Sequence, residues 1–145
     1  MRFLVIEDSQ FDQIKILAAL EQEFGRDGIV VVCFHTRFQD GAIMASVQLE
    51  PFDAVLLDLL LPDTLNAADT LNKAHKLLAE NASVVVTNCD DAEMGNLALT
   101  WADEFVTKGS VTVDQLGAAV RRAIEQHKTE VEMEHLSNLV EQKGK

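Results

Sequence analysis

Five short apolar runs, separated by longer amphipathic stretches, constrain the fold of this chain more than any other feature. The runs cover residues 2–6, 29–34, 52–57, 83–87 and 104–107. Most of them are too continuously apolar to leave one face of a strand in water, which is typical of central strands in a parallel sheet. With 145 residues, 48% of them apolar, the chain is long enough to bury such a sheet in one domain.

The stretches between the runs carry helix signals. After the first run, Ser9 followed three residues later by Asp12 resembles a capping box, and Gly25 is a stop signal. Apolar residues recur at helical spacing between these two ends, namely at Ile14, Leu17, Ala18 and Phe24. We expect further helices over residues 39–49, 64–80 and 90–102, and from residue 113 onward.

This alternation predicts an α/β fold, (βα)5, in which a parallel five-stranded sheet is doubly wound. Right-handed crossovers with helices on both faces favour the flavodoxin-like strand order 2-1-3-4-5. In that order strands 1 and 3 are neighbours at the switch point, where open sheets of this type bind their ligands.

Polar residues follow four of the apolar runs and would meet at this edge. Glu7 and Asp8 follow the first run, Asp58 follows the third, Thr87 ends the fourth, and Lys108 follows the fifth. Since the carboxyl ends of parallel strands lie at one edge of the sheet, we expect these side chains to converge on one crevice.

The net charge of the chain indicates which classes of partner it is not expected to bind. Twenty-four acidic residues against 12 basic ones give a net charge of −12, which disfavours nucleic acids and anionic membranes. No apolar stretch approaches the ~20 residues of a membrane span, and the apolar start is too short for a signal peptide. We therefore expect a cytoplasmic protein, in which Cys33 and Cys89 are free thiols.

The residue types at the crevice point to a metal and to phosphate. Glu7, Asp8 and Asp58 would repel one another unless a hard divalent cation lay among them, and an oxygen-only site suits Mg²⁺. Asp58 would keep one oxygen as a nucleophile, while Lys108 and Thr87 contact phosphoryl oxygens. Each residue alone has an ordinary structural explanation, such as a helix-start cluster for the first two. Together they predict phosphoryl transfer to an aspartate.

Four motifs in this arrangement resemble those of response-regulator receiver domains, the phosphoacceptors of bacterial two-component signalling. The likeness covers residues 2 to about 127. It rests on Ile6-Glu7-Asp8-Ser9, Leu57-Asp58-Leu59-Leu60-Leu61-Pro62-Asp63, Val86-Thr87 and Phe105-Val106-Thr107-Lys108-Gly109.

The resemblance implies a role for each site residue. Asp58 would be the phosphoacceptor of a phosphorelay, taking phosphate from a phosphohistidine on a sensor histidine kinase or a histidine phosphotransfer protein. Glu7, Asp8 and Asp58 would hold Mg²⁺ together with the backbone carbonyl of Leu60.

The same resemblance implies a switch rather than an enzyme. Thr87 and Lys108 would contact the phosphoryl group, and Phe105 occupies the position of the aromatic switch residue. The surface formed by the fourth helix, fifth strand and fifth helix would change on phosphorylation and report to an output partner, which the sequence does not name.

Three other functions fit parts of the pattern. A haloacid-dehalogenase-like phosphatase also uses a strand-end aspartate with Mg²⁺, but it needs an acid two residues on, where this chain has Leu60. A flavodoxin-like FMN binder would meet phosphate repulsion from Glu7 and Asp8. A degenerate receiver would act only through protein contacts, and the complete set of site residues speaks against it.

The domain boundary is expected near residue 128. Residues 1–128 would form the receiver domain, and residues 129–145 a helical C-terminal extension or linker with only a partial apolar stripe. This extension is either a solvated tail or the start of a signalling helix. The chain is accordingly either a stand-alone receiver or part of a longer protein.

Overall fold

The computed structural model describes residues 1–47, 50–88 and 91–143, in which strands and helices alternate. The strands are β1 (Arg2–Ile6), β2 (Val31–His35), β3 (Ala54–Leu57), β4 (Ser83–Thr87) and β5 (Glu104–Thr107). The helices are α1 (Gln10–Phe24), α2 (Phe38–Val47), α3 (Ala67–Glu80), α4 (Ala92–Ala98) and α5 (Val113–Lys143).

All neighbouring strands of the sheet are parallel, and their order is β2-β1-β3-β4-β5. The strand order expected from the sequence is confirmed. In the register of β1 and β3, Ile6 lies opposite Leu57, so the residues that follow them leave the sheet at the same level. This pairing places the ends of β1 and β3 side by side.

Two apolar cores cover the faces of the sheet, which explains why its strands are apolar on both sides. Successive residues of a strand point to opposite faces. Phe3 and Val5 of β1 therefore pack with buried residues of α1 and α5. Leu4 and Ile6 pack on the other face with buried residues of α3 and α4.

Two helices are shorter than their sequence patterns predict. Helix α3 begins at Ala67 rather than residue 64, because the side chain of Asn66 caps it by accepting a hydrogen bond from Asp69 N at 2.8 Å. Helix α4 covers Ala92–Ala98 rather than residues 90–102. Beyond Ala98, the amides of residues 100 and 101 bond three residues back, in a tighter turn.

The other bounds differ by only a few residues. Strands β2 and β3 begin two residues later than expected, whereas β1, β4 and β5 agree with the sequence pattern. The expected end of α2 at residue 49 lies outside the described residues. Ser9 caps α1 by accepting from Asp12 N at 3.3 Å. Gly25 ends α1, and the positive φ follows at Gly28, after a short 3₁₀ turn.

Helix α5 continues well past the body of the domain. It runs from Val113 to Lys143, and the side chains of residues 128–139 are all exposed. None of the helices in the described part of the chain is long and apolar enough to cross a membrane.

Candidate functional site

The first two site residues extend the central strands of the sheet. Glu7 follows β1, and its amide bonds to the carbonyl of His35 at 2.9 Å. Asp58 follows β3, and its amide bonds to the carbonyl of Ile6 at 3.0 Å. These sheet-like bonds fix the main chain of both residues, and only 1% of Glu7 and 4% of Asp58 are exposed.

Lys108 reaches these carboxylates from the end of β5. Its amide bonds to the carbonyl of Thr87 at 2.9 Å, which fixes its backbone beside the end of β4. Its Nζ donates to Glu7 Oε1 at 2.6 Å and to Asp58 Oδ2 at 3.1 Å. It also donates to Asp12 Oδ2, 2.9 Å away on the first turn of α1. The buried ammonium group of Lys108 therefore donates hydrogen bonds to three carboxylates.

Burial and these contacts shift the pKa values of Glu7, Lys108 and Asp12. Burial raises the pKa of Glu7 to about 8, despite the opposing hydrogen bond from Lys108. Burial opposes the charged form of Lys108, but its hydrogen bonds to Glu7 and Asp12 outweigh this and raise its pKa. Burial also opposes ionisation of Asp12, yet the bond from Lys108 holds the pKa of Asp12 below its ordinary value. The ammonium form of Lys108 is thus strongly favoured.

Glu7, Asp8 and Asp58 form a group suited to a metal ion. Each offers a carboxylate oxygen, and these oxygens lie within 4.8 Å of one another. Asp8 is exposed, whereas the other two are buried. The second oxygen of Glu7, Oε2, is buried and has no hydrogen-bond partner among the described residues. A buried, unsatisfied carboxylate oxygen in an all-oxygen group fits the ligand preference of Mg²⁺.

Leu60 lies beside this group in the loop after β3. Its amide donates to Asp58 Oδ1 at 3.2 Å, so the loop curls back over the carboxylate. Its side chain is 48% exposed. An apolar side chain therefore stands two residues after Asp58, where a phosphatase of the haloacid-dehalogenase type would need an acid.

Thr87 and Phe105 lie on the α4 side of Asp58. Thr87 is fully buried at the end of β4, the strand next to β3. Phe105 is half-buried in β5, and its ring lies against Gly95 of α4, where a Cβ would be 3.5 Å from two ring carbons. Strands β4 and β5 thus carry both side chains into the region beside α4.

Two contributors to this cluster were not identified as site residues from the sequence. Asp12 was interpreted only as a capping residue, yet it contacts Lys108. Lys15 donates through Nζ to the carbonyls of Lys108, at 3.2 Å, and Val111, at 2.6 Å. Their position in the sequence could have identified them, because both lie in the first turns of a helix that begins at the carboxyl edge of the sheet. Cys89 lies outside the described residues.

Of the comparisons with known proteins, the one with solved structures found proteins similar to this chain. No protein-family model matches the chain, and no curated protein matches it in sequence. Among solved structures, it is similar to a response regulator receiver domain protein from Clostridium thermocellum. The two are 25% identical with a TM-score of 0.66, over 88% of this chain and 97% of the other.

Two further receiver domains match to the same extent. A CheY-like response regulator receiver domain protein from Methanospirillum hungatei JF-1 is 25% identical, with a TM-score of 0.64 over 89% of this chain and 97% of the other. The signal receiver domain of a putative Luxo repressor protein from Vibrio parahaemolyticus is also 25% identical, with a TM-score of 0.66 over 92% and 96%. The expected likeness to receiver domains is confirmed, and it indicates a signalling domain rather than a conventional enzyme.

Proposed function

We propose that this chain, a response-regulator receiver domain by its fold and motifs, is a phosphoacceptor that takes phosphate on Asp58 from a phosphohistidine donor. The donor would be a sensor histidine kinase or a histidine phosphotransfer protein. The observation that carries the proposal is the position of Lys108, whose Nζ bonds to Asp58 and Glu7, two of the three carboxylates that could hold a metal ion. An acidic crevice with one buried cation provides both a nucleophile and a group that binds phosphoryl oxygen.

The transfer would proceed by attack of an Asp58 oxygen on phosphorus. A P–O bond forms as the P–N bond to the donor imidazole breaks, and the electron pair of that bond returns to the imidazole. Lys108 already donates to Asp58 Oδ2 and would move that hydrogen bond to a phosphoryl oxygen. The hydroxyl of Thr87 would donate to another. These donors favour the charge that develops on the phosphoryl group.

Glu7, Asp8 and Asp58 would hold the Mg²⁺, with the Leu60 carbonyl completing the protein ligands by analogy with receiver domains. When bound, the ion would supply positive charge against the incoming phosphoryl oxygens. The three carboxylates would place that charge beside Asp58, because the main chain of Glu7 and of Asp58 is bonded to the sheet. The buried Oε2 of Glu7 supports this assignment.

The signal would leave the site through Thr87 and Phe105. If the Thr87 hydroxyl turns toward the phosphoryl group, it vacates space that the ring of Phe105 can enter. The ring already lies against Gly95, so its movement would change the surface of α4, β5 and α5. We propose this surface as the contact for the output partner.

Phosphorylation with a small-molecule donor tests the proposal. Incubation with acetyl phosphate and Mg²⁺ should add one phosphoryl group, detected by intact-protein mass spectrometry and located on Asp58 by peptide mapping. Asp58→Asn and chelation with EDTA should both abolish the gain. Asp53→Asn is a matched control, since Asp53 precedes the same strand at its opposite end and is exposed. Labelling of Asp58→Asn at the wild-type level would contradict the assignment.

The same experiment separates a switch from a phosphatase. A receiver accumulates one phosphoryl group per molecule and then releases it slowly. A phosphatase would release inorganic phosphate continuously, with little phosphorylated protein at steady state. Leu60, which stands where such an enzyme needs its acid/base, supports the first outcome.

A further inference from the structure

We infer that Asp12 is a positioning residue that keeps the ammonium group of Lys108 aimed at Asp58 throughout phosphorylation. The inference rests on the proposed function and extends it to a residue on α1. Asp12 Oδ2 accepts from Lys108 Nζ at 2.9 Å, and the Asp12 side chain is 21% exposed, so the contact lies at the edge of the buried cluster.

The number of hydrogen bonds that Lys108 can donate explains how Asp12 affects the direction of its ammonium group. An ammonium group has three N–H donors. Within the described residues, all three are used, one each for Glu7, Asp12 and Asp58. With two donors held by Glu7 and Asp12, the third is directed at Asp58. Without Asp12, only Glu7 would remain to set that direction.

Asp12 is also the partner whose chemistry does not change during the proposed reaction. Asp58 becomes an acyl phosphate, and its bond from Lys108 passes to a phosphoryl oxygen. Glu7 would bind the metal, which would withdraw electron density from its carboxylate and weaken the hydrogen bond that it accepts from Lys108. Asp12 belongs to neither the metal ligands nor the phosphorylated group. It can therefore hold Lys108 in the same place before and after transfer.

Helix α1 holds the main chain of Lys108 as well as its side chain. Lys15, one turn after Asp12, donates to the carbonyls of Lys108 and Val111. Helix α1 is itself anchored, because Ile16 and Leu20 are buried and Arg121 of α5 bonds to Glu23. Because helix α1 contacts both the main chain and the side chain of Lys108, it limits the displacement of Nζ, and a misplacement of ~1 Å can cost ~100-fold in rate.

Three variants test the inference. Asp12→Ala removes the contact, whereas Asp12→Asn retains an oxygen acceptor without the charge. Asp69→Ala is the matched control, since Asp69 is also the third residue after its N-cap, has a side chain 20% exposed and pairs with a lysine, Lys73, away from the site.

The rate of Asp58 labelling is measured over a range of acetyl phosphate concentrations in excess Mg²⁺. Asp12→Ala should lower the maximum rate by about tenfold or more, with the half-saturating donor concentration changed by less than about twofold. Asp12→Asn should return the rate to within about threefold of wild type, because it still accepts a hydrogen bond. Asp69→Ala should leave the rate unchanged. Recovery in Asp12→Asn would assign the effect to the accepted hydrogen bond rather than to the charge.

Two results would overturn the inference: wild-type rates in Asp12→Ala, and equal rates in Asp12→Ala and Asp12→Asn, which would assign the effect to charge alone. Hydrogen exchange of the Lys108 ammonium, followed by ¹⁵N-edited NMR without metal, tests the contact separately. Exchange should be slow in wild type and Asp12→Asn and fast in Asp12→Ala. Equal exchange in wild type and Asp12→Ala would overturn the inference whatever the labelling shows, whereas an unlabelled wild type would overturn the proposed function.

Discussion

The ammonium group of Lys108 lies 2.6 Å from Oε1 of Glu7, while Oε2 of the same carboxylate is buried without a hydrogen-bond partner among the described residues. One side of this carboxylate is therefore satisfied by an internal cation, and the other is not. A buried unsatisfied oxygen costs about 1–3 kcal/mol or more. Both its protonation and a metal ion relieve that cost, so pH and Mg²⁺ should act on the same atom.

The raised pKa of Glu7 predicts that the metal-free protein loses stability as the pH rises. Burial moves this pKa from 4.5 to about 8. Between these values the folded protein binds a proton that the unfolded chain has released, so the contribution of Glu7 to the free energy of unfolding falls with rising pH. It is fully present below 4.5 and lost by the time the pH passes about 8. Urea denaturation in EDTA across this interval measures it.

Glu7→Gln provides the control for this pH dependence, because glutamine keeps the shape of the side chain and does not titrate. The variant should show a flatter stability profile over the same interval and exceed wild type at its upper end. Parallel profiles for the two proteins would show that Glu7 does not titrate there.

Magnesium should stabilise the folded protein through Asp8. Removing this exposed carboxylate leaves the buried pair in place, so Asp8→Ala should fold but lose most of the Mg²⁺ response. For wild type, Mg²⁺ at tenfold its Kd should add about 1.4 kcal/mol to the free energy of unfolding. Thermal melts with and without millimolar Mg²⁺ measure the effect. Asp40→Ala, which removes an exposed acid from the first turn of α2, should respond like wild type.

Thr87→Ala should separate phosphorylation from its structural consequence. The fully buried hydroxyl would be lost, but Asp58 and Lys108 would remain, so labelling should persist at a reduced rate. Backbone NMR shifts on phosphorylation of wild type should concentrate in residues 87–101 and 104–116. In Thr87→Ala, those beyond the immediate phosphate pocket should largely disappear. Equal shifts around Phe105 in both proteins would contradict a switch that runs through Thr87.

Leu60 should lengthen the life of the acyl phosphate by shielding phosphorus from water. Hydrolysis needs a water molecule held in line, and a leucine two residues after Asp58 offers it no hydrogen bond. Leu60→Asn should therefore shorten the lifetime, by about twofold to thirteenfold if one water hydrogen bond of about 0.5–1.5 kcal/mol is gained. Decay is followed by mass spectrometry after removal of the donor.

Leu65→Asn is the matched control for this lifetime, since Leu65 lies in the same loop and is 87% exposed. It should decay like wild type. An equal or longer lifetime in Leu60→Asn would show that this side chain does not control access of water. Cys89, the second position expected from the sequence to affect the lifetime, lies outside the described residues.

The fold could be predicted from the sequence because a sheet buried on both faces needs strands that are apolar throughout. Continuously apolar strands with amphipathic connections admit few arrangements, and right-handed crossovers reduce them to the observed strand order. Element ends were less predictable. Helix α3 starts at Ala67 because Asn66 adopts an extended backbone and caps it, a local competition that periodicity does not reveal.

The sequence by itself determined the strand order and the edge of the sheet at which the site residues lie, namely Glu7, Asp8, Asp58, Thr87 and Lys108. The apolar runs show where each strand ends, and parallel strands end at the same edge of the sheet. It did not determine how those side chains share hydrogen bonds. Only the tertiary structure brings Asp12 and Lys15 of α1 to Lys108, which is 96 residues away from Asp12 along the chain. Burial, together with the neighbouring carboxylate of Asp58, raises the pKa of Glu7. Both depend on distances and solvent exclusion that arise when separate elements pack, and no local pattern of residues encodes them.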